Sequence, residues 1–291
     1  MDRDLFARKH ARESERMPYR KSIVTFLDIL GFRSVVGVRA YDQITAMLDA
    51  VGSIAASPAG GDKAKTKVLS FSDSVIRARP TEMDRSFDDL LQEVKDLAAA
   101  QWRLLELDIL VRGGICIGDI AMEEARSFGP AFVRAYDLES SLAGAPRIVL
   151  DPEILETIRR RLKDEKTPRR KRDLITELKK HVRHGEDGLW YIDYIGSVAR
   201  TTDDGPGMEA SLSRVRDKII EQANSFKANN PVLPKHLWLI RYFNERCAES
   251  YPKNRGLKIK GSDVPAADEL LKPISRKRSK LRQSSADRRT G

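Results

Sequence analysis

The sequence predicts an α+β protein: a mixed sheet with helices packed on one face. Three observations carry this. Ser22–Phe32 is an apolar, partly β-branched run that reads as a buried strand ending in a turn. Lys67–Ala78 reads as two short apolar strands about Ser72-Asp73-Ser74, a β-hairpin with Asp73 at its tip. Residues 39–56 and 84–107 repeat apolar side chains at helical spacing.

In chain order, residues 1–20 are polar and basic and are expected as a flexible leader. The strand over 22–30 follows. Gly31-Phe32-Arg33 leads into a helix near 39–56 with Ile44, Met47, Leu48 and Val51 on one face. Ser57–Asp62 is a loop. After the hairpin, the helix over 84–107 presents Phe87, Leu90, Leu91, Val94, Leu97, Ala98 and Leu105 as core. Ile109–Ile120 is a strand interrupted by Gly113, Gly114 and Gly118. Such glycines mark bulges or the close approach of another backbone or ligand. Residues 121–128 are predicted as its partner strand. Gly129-Pro130 opens a helix across Ala131–Ala143, proline suiting the first turn. Pro146–Leu150 is a last short strand. The order β, α, hairpin, α, hairpin, α, β is that of a ferredoxin-like sandwich over residues 21–151.

From 152 the character changes. Residues 152–184 read as helical and heavily basic, Gly188–Ile195 as one apolar strand, and 207–229 and 234–249 as helices. Residues 152–252 are therefore expected as a helical extension with one strand. Residues 253–291 are expected as a basic, disordered tail.

Bulk properties narrow the function. The chain has 291 residues, 33% of them charged, and no apolar run near the roughly 20 residues a membrane helix needs. Met1-Asp2-Arg3-Asp4 is no signal-peptide core, so a cytoplasmic protein is expected, without a membrane partner. Cys116 and Cys247 lack CxxC spacing and read as buried, reduced and inert. His10, His181, His184 and His236 form no zinc pattern. The net charge of +10 points to an anionic partner, but much of the excess lies in Arg159–Arg172 and Lys253–Arg289. Runs of this kind are more often solvated faces or tails than nucleic-acid sites.

The chemistry centres on two carboxylates. Asp28 alone reads as a helix cap or as a metal ligand. Asp73 moves the balance, because a strand end and a hairpin tip can converge on a hard cation. Two such aspartates suit a two-metal site, with ions about 3.5–4 Å apart. The backbone amides of Leu30, Gly31 and Phe32 fall at a strand-to-helix turn, where N–H groups can hold phosphate. Gly31 lets a ligand approach the backbone.

With these residues in place, residues 20–150 resemble the catalytic domain of class III nucleotidyl cyclases. The matching pieces are Phe26-Leu27-Asp28-Ile29-Leu30-Gly31-Phe32, Phe71-Ser72-Asp73, Arg112-Gly113-Gly114-Ile115, and Gly129 opening a helix that ends Leu138-Glu139-Ser140. Phe128–Glu139, Ala145-Pro146-Arg147-Ile148 and the strand Leu189–Tyr194 are similar to the pyrimidine cyclases of bacterial anti-phage (Pycsar) systems. The resemblance implies conversion of UTP, or alternatively CTP, to the 3′,5′-cyclic monophosphate and pyrophosphate. It implies two divalent ions, Mn²⁺ or Mg²⁺, at Asp28 and Asp73 with the Ile29 carbonyl as a further ligand. It implies substrate contacts from Phe26, Leu30, Gly31, Phe32 and Arg126, and makes Arg112 a candidate for transition-state charge. It also implies a homodimer with composite active sites and a separate effector activated by the cyclic nucleotide.

The chain departs from the purine cyclases at four positions. The ribose-contacting asparagine falls at Val133 and the charge-stabilising arginine at Asp137. Arg134 is adjacent to Val133, but one helical residue turns a side chain by about 100°. The base-reading positions fall at Leu69 and Arg126. Arg126 could donate to a uracil carbonyl and would meet a donor at the cytosine amino group, which favours UTP. Tyr41 reads as a packed tyrosine or a base contact. Two other readings compete. One is a non-catalytic, basic nucleic-acid-binding module on the same fold. The other is another two-metal enzyme, such as a nucleotide polymerase.

Overall fold

The computed structural model describes residues 19–56, 66–82, 86–123, 126–164, 168–202, 205–227 and 230–267. Most of the predicted leader, the loop at 57–62 and the chain beyond 267 lie outside them. The α+β class holds, around an eight-stranded mixed sheet. Strand β1 (Arg20–Ile29) sits centrally, antiparallel to β3 (Ser74–Pro80) and to β4 (Val111–Met122). β2 (Lys67–Phe71) closes the hairpin with β3, and Ser72 takes a left-handed φ of 53° in its two-residue turn. β6 (Ile148–Leu150) runs parallel to β4, the one parallel pairing among the described strands. The predicted return strand over 121–128 shrinks to β5 (Ser127–Phe128), because Ala121 and Met122 still belong to β4.

Helices cover both faces of the sheet, not one. The short α1 (Phe32–Val38) was not foreseen, and α2 (Tyr41–Ala56) follows it. α3 (Ser86–Glu106) packs on the face carrying Thr25 and Arg77, where both side chains meet Glu93. α4 (Pro130–Asp137) lies on the opposite face and continues as a π-helical segment, Leu138–Ala143. The glycines of β4 explain the second layer. A Cβ at Gly114 would stand 2.4 Å from Leu138 Cβ and 2.6 Å from the Ala135 carbonyl, and one at Gly118 would stand 3.1 Å from Ala131 Cβ. Two bare positions four residues apart on one face of a strand admit a helix backbone directly against the sheet.

The extension continues the same sheet. β7 (Val182–His184) pairs with β8 (Trp190–Ile192), and β8 pairs with β6. The extension therefore has two strands, and the predicted strand Gly188–Ile195 is shorter. Asp193 ends it: its carboxylate accepts from the Gly196 amide at 3.3 Å and starts α7 (Tyr194–Thr201). Before β7 lie α5 (Pro152–Asp164) and α6 (Pro168–Lys179); after α7 come α8 (Gly205–Asn224) and α9 (Leu233–Ser250). Asp193 also accepts from Arg200 at 2.8 Å, Arg246 at 3.0 Å and the Tyr242 hydroxyl at 2.8 Å, which fastens α9 beneath β8. Residues 255–267, expected in the disordered tail, form three 3₁₀ turns and bury Leu257, Ile259 and Val264. Among the described residues no helix is long and apolar enough to cross a membrane.

Candidate active site

The end of β1 is tied to the hairpin tip by backbone. The Ile29 amide donates to the Asp73 carbonyl at 3.1 Å, and Asp28 stands opposite Ser74 in the register. Ser74 Oγ donates to Asp28 Oδ1 at 3.4 Å. The Asp28 and Asp73 carboxyls lie close enough for the charge of one to act on the other. Burial lifts the Asp28 carboxyl above the usual range; Arg112 pulls it down and Asp73 pushes it up.

Arg112 faces Asp28 across the β1–β4 pairing. Its Nε and Nη2 donate to Asp28 Oδ2 at 3.3 and 3.2 Å, and Nε lies 2.5 Å from Glu139 Oε1. Glu139 comes from the π-helical segment and is buried. Burial pushes its carboxyl up to about 7, against the pull of Arg112. Lys235, in the first turn of α9, is close enough for Asp28 and Glu139 to act on its charge, although burial depresses its ammonium. Neither Glu139 nor Lys235 is among the residues the sequence marks as candidates. Glu139 could have been suspected as a carboxylate within the last matching motif. Lys235 carries no local signal, because the extension brings it back from more than 200 residues downstream of Asp28.

The other candidates separate into groups. Gly31 takes a left-handed φ of 81° before α1, so the turn needs a glycine. The Leu30 amide is not free for phosphate: it donates to the Leu110 carbonyl at 2.8 Å. The amides of Gly31 and Phe32 have no backbone partner among the described residues. Phe26 is a core residue, 4% exposed, its ring edge-on to Phe71, Phe132 and Tyr136 at centroid distances of 5.4–6.3 Å. Arg126 lies beyond the far end of β4, with a side chain 79% exposed. The strand between Arg112 and Met122 spans roughly 33 Å, so one chain does not bring Arg126 to Asp28. Val133 and Asp137 are exposed on α4, and Arg134 is held by Asp151 at 2.6 and 2.9 Å. Leu69 is half-buried on β2. Tyr41 is not packed; it is 83% exposed. Cys116 and Cys247 are buried free thiols, each pushed up to about 12 by burial, which fits inert cysteines.

No family model matches the chain. No curated protein matches it either. Among solved structures the chain is similar to the adenylyl cyclase CyaB from P. aeruginosa: 18% identity, 48% of this chain and 81% of that one, TM-score 0.39. It is similar to the guanylyl cyclase Cya2: 16% identity, 48% and 79%, TM-score 0.36. It is also similar to the monomeric guanylyl cyclase domain of the RhoGC fusion protein from the aquatic fungus Blastocladiella emersonii: 12% identity, 60% and 95%, TM-score 0.37.

Proposed function

We propose that the chain is a class III-type nucleotidyl cyclase that converts UTP to 3′,5′-cyclic UMP and pyrophosphate, with cytidylate cyclase as the alternative. The observation that carries this reading is the meeting of Asp28 and Asp73 at one end of the sheet, beside the Gly31 turn. The pair fits divalent cations. Two hard carboxylates are crowded together, and a guanidinium already lodges against one of them. Among the described residues no group of three or more His, Cys, Asp or Glu is arranged to hold a metal. The Ile29 carbonyl, water and substrate phosphates would complete the coordination, as is usual for Mg²⁺. Bound there, Mn²⁺ or Mg²⁺ would acidify the ribose 3′-hydroxyl and offset triphosphate charge.

The chain's own groups have distinct tasks in this reading. Asp28 and Asp73 hold the cations, and the Gly31 and Phe32 amides meet phosphate oxygens. Arg112 and Lys235 bring positive charge to the side where pyrophosphate leaves. Base choice falls to a second copy, whose Arg126 would donate to a uracil carbonyl. The exposed Phe71 and Tyr136, whose rings both lie against Phe26 of β1, support such a pairing, since an apolar surface beside the site favours burial against a second copy. The cyclic product would act as messenger to a separate effector in anti-phage defence.

The test is incubation of the full chain with each of the four NTPs and Mn²⁺, followed by chromatography and mass analysis. Cyclic UMP from UTP is expected. A cyclic product from CTP alone would transfer the assignment to cytidylate cyclase. No cyclic product from any NTP, from a folded dimer, would overturn the enzyme reading. Nucleic-acid binding that survives loss of both aspartates would then favour the basic binding module.

A further inference from the structure

Arg112 serves two acids at once, and the geometry divides it unequally. Its Nε carries one hydrogen, and that N–H is directed at Asp28 Oδ2. Glu139 Oε1 lies 2.5 Å from the same Nε, yet it has no hydrogen-bond partner among the described residues. Glu139 is 2% exposed. The contact with Arg112 is an ion pair without a directed N–H, so this buried oxygen keeps unused acceptor capacity, and water has little access to fill it. Glu139 is thus a fixed acceptor with spare capacity. Its place is set by the π-helical segment, which the bare backbone of Gly114 admits against β4.

Asp28 Oδ2 cannot face a guanidinium and a divalent cation together, because two positive charges at that range repel strongly. Taking Asp28 and Asp73 as cation ligands, we propose that Glu139 is a positioning residue: it retains Arg112, and takes over its Nε–H, when a divalent cation displaces the guanidinium from Asp28. In the cation-free state Arg112 partly neutralises Asp28. In the loaded state Arg112, already beside Glu139, re-aims its Nε–H from Asp28 to Oε1. It stays at the rim of the site, where its positive charge still faces the substrate phosphates. Glu139 then tunes cation affinity without touching the cation.

The test reads Mn²⁺ binding to the full-length chain by electron paramagnetic resonance, without nucleotide. Arg112→Gln removes the competitor and should bind Mn²⁺ more tightly than wild type. Glu139→Gln leaves Arg112 with Asp28 alone and should weaken binding by about tenfold. Glu139→Asp keeps the charge but retracts the acceptor, and should weaken binding in the same direction. The double variant Arg112→Gln with Glu139→Gln should return to the level of Arg112→Gln, because Glu139 acts only through Arg112. Additive effects in the double variant would mean bulk charge alone and overturn the inference. A double variant as weak as Glu139→Gln would make Glu139 a ligand and also overturn it. Wild-type affinity in Glu139→Asp would do the same, and that variant remains informative if the glutamine variant fails to fold. Mn²⁺ binding unaffected by Asp28→Asn and Asp73→Asn would sink the underlying ligand assignment, an outcome distinct from the others.

Discussion

The Ile29 amide donates to the Asp73 carbonyl at 3.1 Å, joining the end of β1 to the tip of the β2–β3 hairpin. One backbone bond therefore sets the spacing of the two main-chain segments that carry the carboxylates. Asp73→Asn should keep this bond, since it is made by the main chain. The variant should lose at least about 100-fold in cyclic-nucleotide formation with Mn²⁺, as expected when a metal-site carboxylate is removed. Its thermal unfolding should be unchanged or slightly raised, because Asp73 pushes against the half-buried Asp28. Wild-type turnover in this variant would sink the metal assignment.

A second prediction concerns the other face of the sheet. Arg77 and Arg79 of β3 meet Glu93 and Asp96 of α3, all four buried. Arg77 Nε donates to Glu93 Oε1 at 2.7 Å and Arg79 Nε to Glu93 Oε2 at 3.0 Å, while Arg77 also reaches the Ala55 carbonyl of α2. The arginines hold the Glu93 carboxyl below its usual range despite complete burial. Glu93→Ala would leave two guanidiniums buried with one acid between them. Breaking a buried pair in this way costs about 3–5 kcal/mol. Urea unfolding should show a loss of that size. A loss below 1 kcal/mol would mean that water or neighbouring groups replace the carboxylate.

These two sites differ in how far the sequence announced them. The strand-turn-strand pieces around Asp28 and Asp73 were readable because apolar β-branched runs and a two-residue turn are local signals. Glu93 and Asp96 sit on a helix whose apolar stripe was correctly placed, but helical periodicity marks acids beside that stripe as solvated. Only the arginines of β3, packed on the same face, turn them inward. β7 falls inside a basic stretch that reads as helical, because a three-residue strand has no measurable period. α7 was hidden inside an apolar run, although Asp193 stood there as a capping residue. Leu257, Ile259 and Val264 were averaged into a basic tail, where single apolar residues carry little compositional weight. Glu139 and Lys235 join Asp28 only once α4 has docked on the β4 glycines and the extension has folded back.

Gly114 is the position at which that docking can be probed. A Cβ there would meet Leu138, the Ala135 carbonyl and the Glu139 amide, the last at 3.1 Å. Two of these atoms are backbone and cannot swing aside. Gly114→Ala should push the π-helical segment off the sheet and move Glu139 with it. Overpacking of this kind costs about 1–3 kcal/mol, readable as a lower urea midpoint. Mn²⁺ affinity should fall as well, in the direction expected for Glu139→Gln. Stability and affinity both at wild-type level would show that α4 can shift without consequence for the site.

His236, on α9, gives a pH dependence whose sign can be worked out. It is 3% exposed, its ring lies 4.9 Å from that of Phe226, and its Nδ1 has no hydrogen-bond partner among the described residues. Burial lowers it from 6.5 to about 4. A base with a depressed folded value binds fewer protons folded than unfolded between those two values, so stability falls as pH falls through the window. From pH 7 to pH 5 this group should remove about 2 kcal/mol. Below the folded value the loss is complete and the slope ends. His236→Phe fills a similar volume without a titratable nitrogen and should keep stability level across the same range, apart from other groups shared with wild type. The measurement is urea unfolding of both proteins at pH 7, 6 and 5, with the difference between them plotted against pH. Parallel stabilities at all three values would mean that His236 takes up its proton while the chain is still folded, and that the α9 packing around it admits water.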